Sequence, residues 1–553
     1  MEIYRCYSND QLGEYRVYTA GKSGIIDNEC LKKGVYSMFG TIFRKNKSVS
    51  NKAAQAVQMQ RFSKDLNKNI KYIQQVLSKC CDLESRPIRI GRNRQINARI
   101  FFIDGMVDAA FMATNILEPL MLLEPGDDCG LEIHEEIFNS LLPAGTVTIE
   151  QSPNMLVTRL LSGGIAIVVE GQEKAFAVEA IGWQERAVEE SQTETVVKGA
   201  RAGFVENIRV NRSLIRRMIK YPGLKFERLT VGRITNTEVN IAYIEGIVME
   251  GLVEKVKERI ERIDIDGTAN FGMLQEMIDD STFSVFSQSY STERPDRACS
   301  CLLEGRVLII MDNFPFVTVV PSVITQFFQS AEDYSTKYLI ASFVRLLRFI
   351  GLNITVLLPG LYVAIFSYHH EMIPTELLKS ISQAREQLPF PIFLEMLVLE
   401  ISFEILREAG VRLPRPVGQA VSIVGALVIG QAAVAARLVS PPSIIIVALT
   451  AIASFTIPIP EGSDAHRLLR FPVLLAAGAF GLPGIITAWL MLLVHLSGLR
   501  SFGVPYLSPV SPFSLSDWKD FLIRVPSSFM KTRPIQTGKS NIRRQDNGKQ
   551  GGK

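Results

Sequence analysis

The sequence predicts an α+β soluble N-terminal region made of two related subdomains, followed by an all-α polytopic membrane domain. Three observations carry this expectation. Residues 1–337 are charged and alternating, whereas residues 349–499 are poor in charge and rich in Gly, Ala, Pro, Leu and Ile. The second part holds four uncharged runs of 20 residues or more, at 349–368, 416–436, 438–460 and, with only His495 titratable, 471–499. At about 1.5 Å per residue each is long enough to cross a hydrocarbon core of about 30 Å. The first part contains an internal repeat.

Residues 1–54 are polar and weakly periodic and read as a flexible N-terminal arm. The tripeptide Gly21-Lys22-Ser23 ends like a phosphate-binding loop. Arg16 stands where that motif needs its first glycine, and no apolar strand precedes it, so the mechanism is missing. Residues 55–335 carry the repeat. Ile90-Gly91-Arg92 matches Val231-Gly232-Arg233, RIFFIDGMV (99–107) matches NIAYIEGIV (240–248), and LLSG (160–163) matches LLEG (302–305), at an offset of 141 or 142. Each copy runs strand, acidic-Gly corner, helix, then a hairpin turning at Glu170-Gly171 or Asp312-Asn313. This gives a first α+β subdomain at 55–190 and its duplicate at 191–335.

Asp104, Glu245, Glu170 and Asp312 stand at strand ends, where a carboxylate caps the next turn or helix. Catalysis by them would want a convergent histidine, and His134 is alone in residues 55–335. The seven cysteines lack CxxC spacing and read as reduced thiols. Neither catalytic, cofactor-binding nor metal-binding residues are expected. The net charge of +4 is small for 553 residues, which argues against nucleic-acid binding by the whole chain. Basic residues gather at 44–71 and in the tail, 513–553. Each cluster is either a solvated linker or a contact for anionic headgroups, worth roughly 1 kcal/mol per basic residue.

In the membrane domain, 338–512, we expect about four spans, at 349–368, 416–437, 441–460 and 471–499. An amphipathic helix is expected at 388–408. It carries Glu395, Glu400, Glu404 and Glu408, and the last three stand four apart on one face. Leu394, Leu397, Val398, Ile401 and Ile405 fall opposite. A charge at mid-bilayer costs at least ~2.5 kcal/mol, so these acids avoid lipid. The helix either lies in the interface plane or lines an aqueous cavity with its acids inward. These four glutamates are the pore or gating candidates. Gly418, Gly425, Gly430 and Ala433 permit close helix approach, within one subunit or between subunits. The start of the chain has no apolar signal segment. That feature and the basic tail favour a cytoplasmic N-terminal region and tail.

Four long motifs carry a resemblance: ESQTETVVKGARAGFVENIRVNRSLIRR (190–217), STERPDR (291–297), EMIPTEL (371–377) and RLPRPVGQAVSIVGALVIGQAA (412–433). Together they resemble the A subunit of nutrient germinant receptors of endospore-forming bacteria, from about residue 60 to about 510. The resemblance implies a multi-pass protein of the spore inner membrane. Its implied partners are a transporter-like B subunit that binds the nutrient, a lipoprotein C subunit, membrane lipid and further A subunits. It implies a nutrient-gated cation channel that starts germination. A stage V sporulation AF-type accessory protein, or a non-conducting scaffold, is the alternative. Glu293, Arg294, Pro295 and Asp296 are subunit-contact candidates, beside the reading that Pro295 and Asp296 shape a loop.

Overall fold

The structure is a computed structural model. It describes residues 7–8, 15–19 and 22–25, and then 61–544 apart from 93–95, 124–131, 142–143, 183–193, 195, 197, 269, 387, 413–429 and 539–540. Residues 1–58 form one unit and 59–553 another. In the first, β1 (Tyr7–Ser8), β2 (Tyr15–Thr19) and β3 (Lys22–Ile25) pair antiparallel in chain order. This small meander falls within the segment expected to lack fixed structure.

The second unit begins with two antiparallel five-stranded sheets. The first is ordered β4 (Leu83–Ile90), β5 (Ile96–Ile103), β7 (Gly164–Val169), β8 (Ala175–Glu179), β6 (Val147–Glu150). The second is ordered β9 (Leu224–Val231), β10 (Thr237–Ile244), β12 (Val307–Met311), β13 (Val317–Val320), β11 (Tyr290–Thr292). Element for element, the second sheet repeats the first. The central strands β7 and β12 read as unbroken apolar runs because helices cover both sheet faces and every residue in them is buried.

In the first copy, α1 (Leu66–Val76) and α4 (Pro153–Leu160) cover one face. The other carries α2 (Ala109–Leu122) and α3 (Glu132–Leu141). In the second copy, α5 (Ile208–Met218) and α8 (Pro295–Leu303) answer α1 and α4. The helices α6 (Leu252–Glu261) and α7 (Phe271–Ile278) cover the opposite face.

The repeat extends to single hydrogen bonds. Asn69 on α1 clasps the backbone of Ser63, accepting from its N–H at 2.9 Å and donating to its carbonyl at 2.6 Å. Asn211 on α5 clasps Val205 at the same two distances. Gly163 and Gly305, one residue before β7 and two before β12, have φ of 92° and 89°, a region closed to most L side chains.

The copies are welded by a buried ion pair. Arg216 on α5 meets Asp82 of the first copy with Nε–Oδ2 at 2.8 Å and Nη2–Oδ1 at 3.1 Å, and both side chains are fully buried. Arg216 also donates to Leu224 O and stacks over Phe226. Beside it, Arg212 bridges Asp104 at 3.0 Å and Glu238 at 3.3 Å, and Lys225 donates to Val76 O. Cys81, part of the same contact, has its thiol pushed up to about 11 by burial, so it stays protonated and unreactive. Asp312 accepts from Ile208 N–H at 3.1 Å, and Glu170 accepts from Asn97. These carboxylates therefore serve the fold.

The helical part begins with α9 (Tyr338–Tyr368). Its 31 residues reach about 46 Å. Among the described residues it is the helix long and apolar enough to cross a membrane. After α10 (Thr375–Arg385) come α11 (Ile392–Arg412), α12 (Pro441–Ser454), α13 (Pro460–Phe480) and α14 (Leu482–Gly498). Two runs read as single spans are divided differently. The 441–460 run makes a 14-residue helix, about 21 Å long, and then turns at Phe455–Ile459. The 471–499 run breaks at Gly481, whose φ is +65°, with Pro483 opening the next helix. The run expected at 416–437 lies outside the described residues except for 430–437.

The tail does not leave the body as a free arm. Arg533 donates from Nε to Leu303 O at 2.7 Å, and Asp520 binds Arg345 at 2.8 Å and the Tyr334 hydroxyl at 2.8 Å. Asp333 binds both Arg345 (2.9 Å) and Arg348 (2.8 Å), completing a collar at the start of α9. Head and tail therefore lie at one end of the helical bundle.

Asp82→Ala will destabilise the chain by about 3–5 kcal/mol, because Arg216 is then a buried charge without its partner. Replacing both residues by apolar ones, Asp82→Leu with Arg216→Met, will recover most of that loss. Denaturant unfolding of the solubilised chain, followed by tryptophan emission, measures both.

Candidate functional site

The acidic helix α11 packs against α9, α12 and α13 instead of lying flat beside the bundle. Leu394, Val398, Ile401 and Ile405 face outward and are exposed, while Leu397, expected on the same side, turns inward against the Tyr362–Val363 core. The acids point toward neighbouring helices, and each of the four meets a cation.

Glu395 is buried and accepts from the N–H and Oγ of Ser440 at 2.5 and 2.8 Å, the residue before α12, and pairs with Arg385 of α10. Glu400 is fully buried, 2.7 Å from Arg470 Nη1. One turn on, Glu404 takes Arg470 Nη2 at 2.5 Å and both Nε, at 3.2 Å, and Nη2 of Arg467. Glu408 is exposed and pairs along its own helix with Arg412 at 2.6 Å. Arg407 lies over the Phe455 ring at 5.2 Å, a cation–π contact.

The stripe expected to attract cations is thus closed by two arginines, 467 and 470, spaced for one face of α13. Two carboxylates and two guanidiniums meet across the α11–α13 seam. Burial raises the Coulomb attraction and also the desolvation penalty, so the arrangement holds only while both signs are present. Arg467 and Arg470 fall between the spans expected at 441–460 and 471–499, so neither a helix nor a partner was expected for them. Pro460 followed by Glu461 was the available signal, proline and an acid being favoured in a first helical turn.

The seam is coupled to the head. At Gly462 on α13 a Cβ would come within 2.9 Å of Phe327 Cβ, in the turn that follows β13. Phe327, Ile459, Ala465, Leu496 and Tyr506 belong to the same apolar core as the second sheet. Gly462 stands five residues before Arg467, about 7.5 Å along the helix. Other glycines seat helix on helix: a Cβ at Gly351 would meet Thr456 Oγ1 at 2.4 Å, and one at Gly478 would meet Phe393 at 2.4 Å. Of the packing residues named from sequence, Gly430 lies in ordinary contact with Ile444 of the same chain, Ala433 is half-buried, and Gly418 and Gly425 lie outside the described residues.

The STERPDR corner is not on a contact surface within this chain. Glu293, Arg294, Pro295 and Asp296 end β11 and open α8. Arg294 is 2% exposed; it pairs with Asp296 at 2.7 Å and donates to Ala200 O and Glu194 O. Glu194 in turn accepts from the Thr292 hydroxyl at 3.0 Å, and burial pushes its carboxyl up to about 7. The corner clamps Glu194 and Ala200 against the second sheet.

Residues 71–536 match the family described as Bacillus/Clostridium GerA spore germination protein. The chain belongs to the GerA family. It is 43% identical to spore germination protein KA of Bacillus subtilis (strain 168) over 485 residues, 87% of this chain and 88% of that one. It is 40% identical to the uncharacterized membrane protein YfkQ of the same organism, over 87% of this chain and 92% of that one. The crystal structure of the N-terminal domain of the A subunit of the Bacillus megaterium spore germinant receptor GerK3 aligns with 28% identity and a TM-score of 0.39. It covers 48% of this GerA-family chain and 98% of that domain.

Two outcomes follow for this GerA-family chain. Arg470→Ala will lower the midpoint of thermal unfolding and the amount of folded protein recovered. Adding Glu400→Gln and Glu404→Gln will restore part of both, since the buried acids no longer lack a cation. Glu194 contributes one part of the pH dependence, beside Asp279, whose carboxyl burial raises to about 6. The folded Glu194 carboxyl holds a proton up to about 7, against an ordinary 4.5. The stability it contributes is therefore full below about 4.5 and lost as pH rises through about 7. Melting curves between those limits will show that decline, and Glu194→Gln will make it shallower.

Proposed function

We propose that the chain is the A subunit of a germinant receptor in the spore inner membrane, assembled with a transporter-like B subunit, a lipoprotein C subunit and further copies of itself. Its head and tail lie on the cytoplasmic side. In this reading the helical part passes cations, and the Glu400–Glu404–Arg467–Arg470 cluster is the closed gate. Nutrient binding elsewhere on the complex moves the head, Phe327 carries the motion to Gly462, and α13 shifts its two arginines off the carboxylates. The freed carboxylates then attract cations. The observation that carries the reading is the single helix, α13, that touches the head at Gly462 and neutralises the acidic stripe at 467 and 470. Membership of the GerA family and 40% identity to a relative named as a membrane protein support the setting.

A non-conducting scaffold is the second reading. It is favoured by the ion pairs themselves, since each of the four glutamates has a cation beside it and a static bundle also neutralises its charges.

Monovalent-cation flux through the receptor complex reconstituted in lipid bilayers separates the two. A gate predicts that Arg467→Gln raises flux without nutrient, and that Glu404→Gln lowers nutrient-triggered flux at normal protein level. Flux unchanged in both variants, with assembly intact, would leave the scaffold.

A further inference from the structure

We propose that the C-terminal segment 520–531 is a membrane-surface foot, resting on the headgroup boundary of an anionic bilayer beside the first turns of α9. This rests on the membrane reading of the bundle.

Three observations place it there. The segment is tied to α9 at Ser342. Arg524 N–H donates to Ser342 Oγ at 3.0 Å, and that hydroxyl shares its hydrogen between Tyr338 O of its own helix, at 2.7 Å, and Arg524 O, at 3.1 Å. The Arg524 guanidinium turns inward, donating to Thr336 O and lying 5.1 Å from the Tyr334 ring centre.

The flanking apolar side chains are left outside. Ile523 and Phe529 are 66% and 67% exposed, and on α9, on either side of Ser342, Leu339 and Phe343 are 67% and 61% exposed. Large apolar groups this bare, from two chain segments clasped together, have no place in water at that density. The α9 members belong to the long apolar helix that crosses the membrane in the proposed reading. The foot continues their outward face at the helix end where the charged collar of Arg345, Arg348, Asp333 and Asp520 begins. That end is the depth at which acyl chains give way to headgroups.

The exposed bases fit the same occupant. Lys531 and Arg544 are exposed, and the Arg544 backbone N–H donates to Lys531 O at 2.8 Å, which keeps the two residues side by side. Apolar groups reaching the upper acyl region with cations beside them match phosphate-bearing anionic lipid. They do not match a neutral aqueous face.

The test uses the full chain reconstituted in vesicles that contain anionic lipid and phospholipids brominated high or low on the acyl chain. Tryptophan is added singly as Ile523→Trp, Phe529→Trp or Leu361→Trp, and each signal is taken relative to the parent chain. Leu361, exposed on the uncharged part of α9, reports on the span itself. The expected result is loss of emission at 523 and 529 with high bromination and little with low. At 361, low bromination quenches. Lys531→Glu with Arg544→Glu weakens quenching at 529 in anionic vesicles and leaves 361 unchanged. No quenching at 523 and 529, with 361 quenched, overturns the foot. If aqueous iodide also fails to reach 523 and 529 in that case, a protein partner covers them and lipid does not. Failure of quenching at 361 overturns the membrane reading itself.

Discussion

Arg470 lies between Glu400 and Glu404 with 1% of its side chain exposed; it supplies the cation beside Glu400, while Glu404 shares it with Arg467. An unpaired charge there would cost several kcal/mol, far more than one helix–helix contact supplies. The rotation of α13 about its axis is therefore fixed by where those acids are. With the rotation fixed, Gly462 faces Phe327, Gly478 admits Phe393, and Val473 and Ala477 pack against α9 at Val356 and Gly360. One electrostatic constraint sets the facing of the helix that links head and bundle.

The same logic holds the head together, and it explains why there are two copies that differ. Asn69 and Asn211, the paired glycines and the strand order belong to both copies. The weld belongs to one side of each. At the positions 142 before Arg212 and Arg216, the first copy has Ile70 and Gln74. Ile70 packs on the first copy's own core. The second copy thus donates cations, and the first supplies Asp82 and Asp104. A repeat with a donor face on one copy and an acceptor face on the other closes as a pair and has no reason to continue as an array.

The head was largely legible because its signals are local or repeated. Period-two strands, acidic-Gly corners and a constant offset survive in one sequence, and a repeat confirms each weak signal twice. The bundle was less legible for two physical reasons. Counting uncharged residues measures composition, and composition does not show where a helix breaks; Gly481 ends one helix and Pro483 opens another inside an uninterrupted apolar run. The second reason is that a charge's partner is a tertiary fact. Glu400 and Glu404 stood out as a stripe, but Arg467 and Arg470 lie more than 60 residues away, in the stretch between two expected spans. The STERPDR corner is similar: the loop-shaping role of Pro295 and Asp296 is local, but two of the partners of Arg294, Ala200 and Glu194, lie 94 and 100 residues away.

The tail bears on which elements are free to move. Asp520 holds Arg345, and Asp333 holds both Arg345 and Arg348, so the head-side end of α9 is gripped by head and tail together. Such a network resists displacement because shifting α9 would strip several buried charges at once. Among the described residues the head-side end of α13 has no ion pair to the head: it meets it through Phe327, the surrounding apolar core and a Glu461–Ser291 hydrogen bond, contacts that shift at lower cost than ion pairs break. Further along, α13 is held in two ways: by close apolar packing of Val473 and Ala477 on α9, and by the pairing of Arg467 and Arg470 with α11.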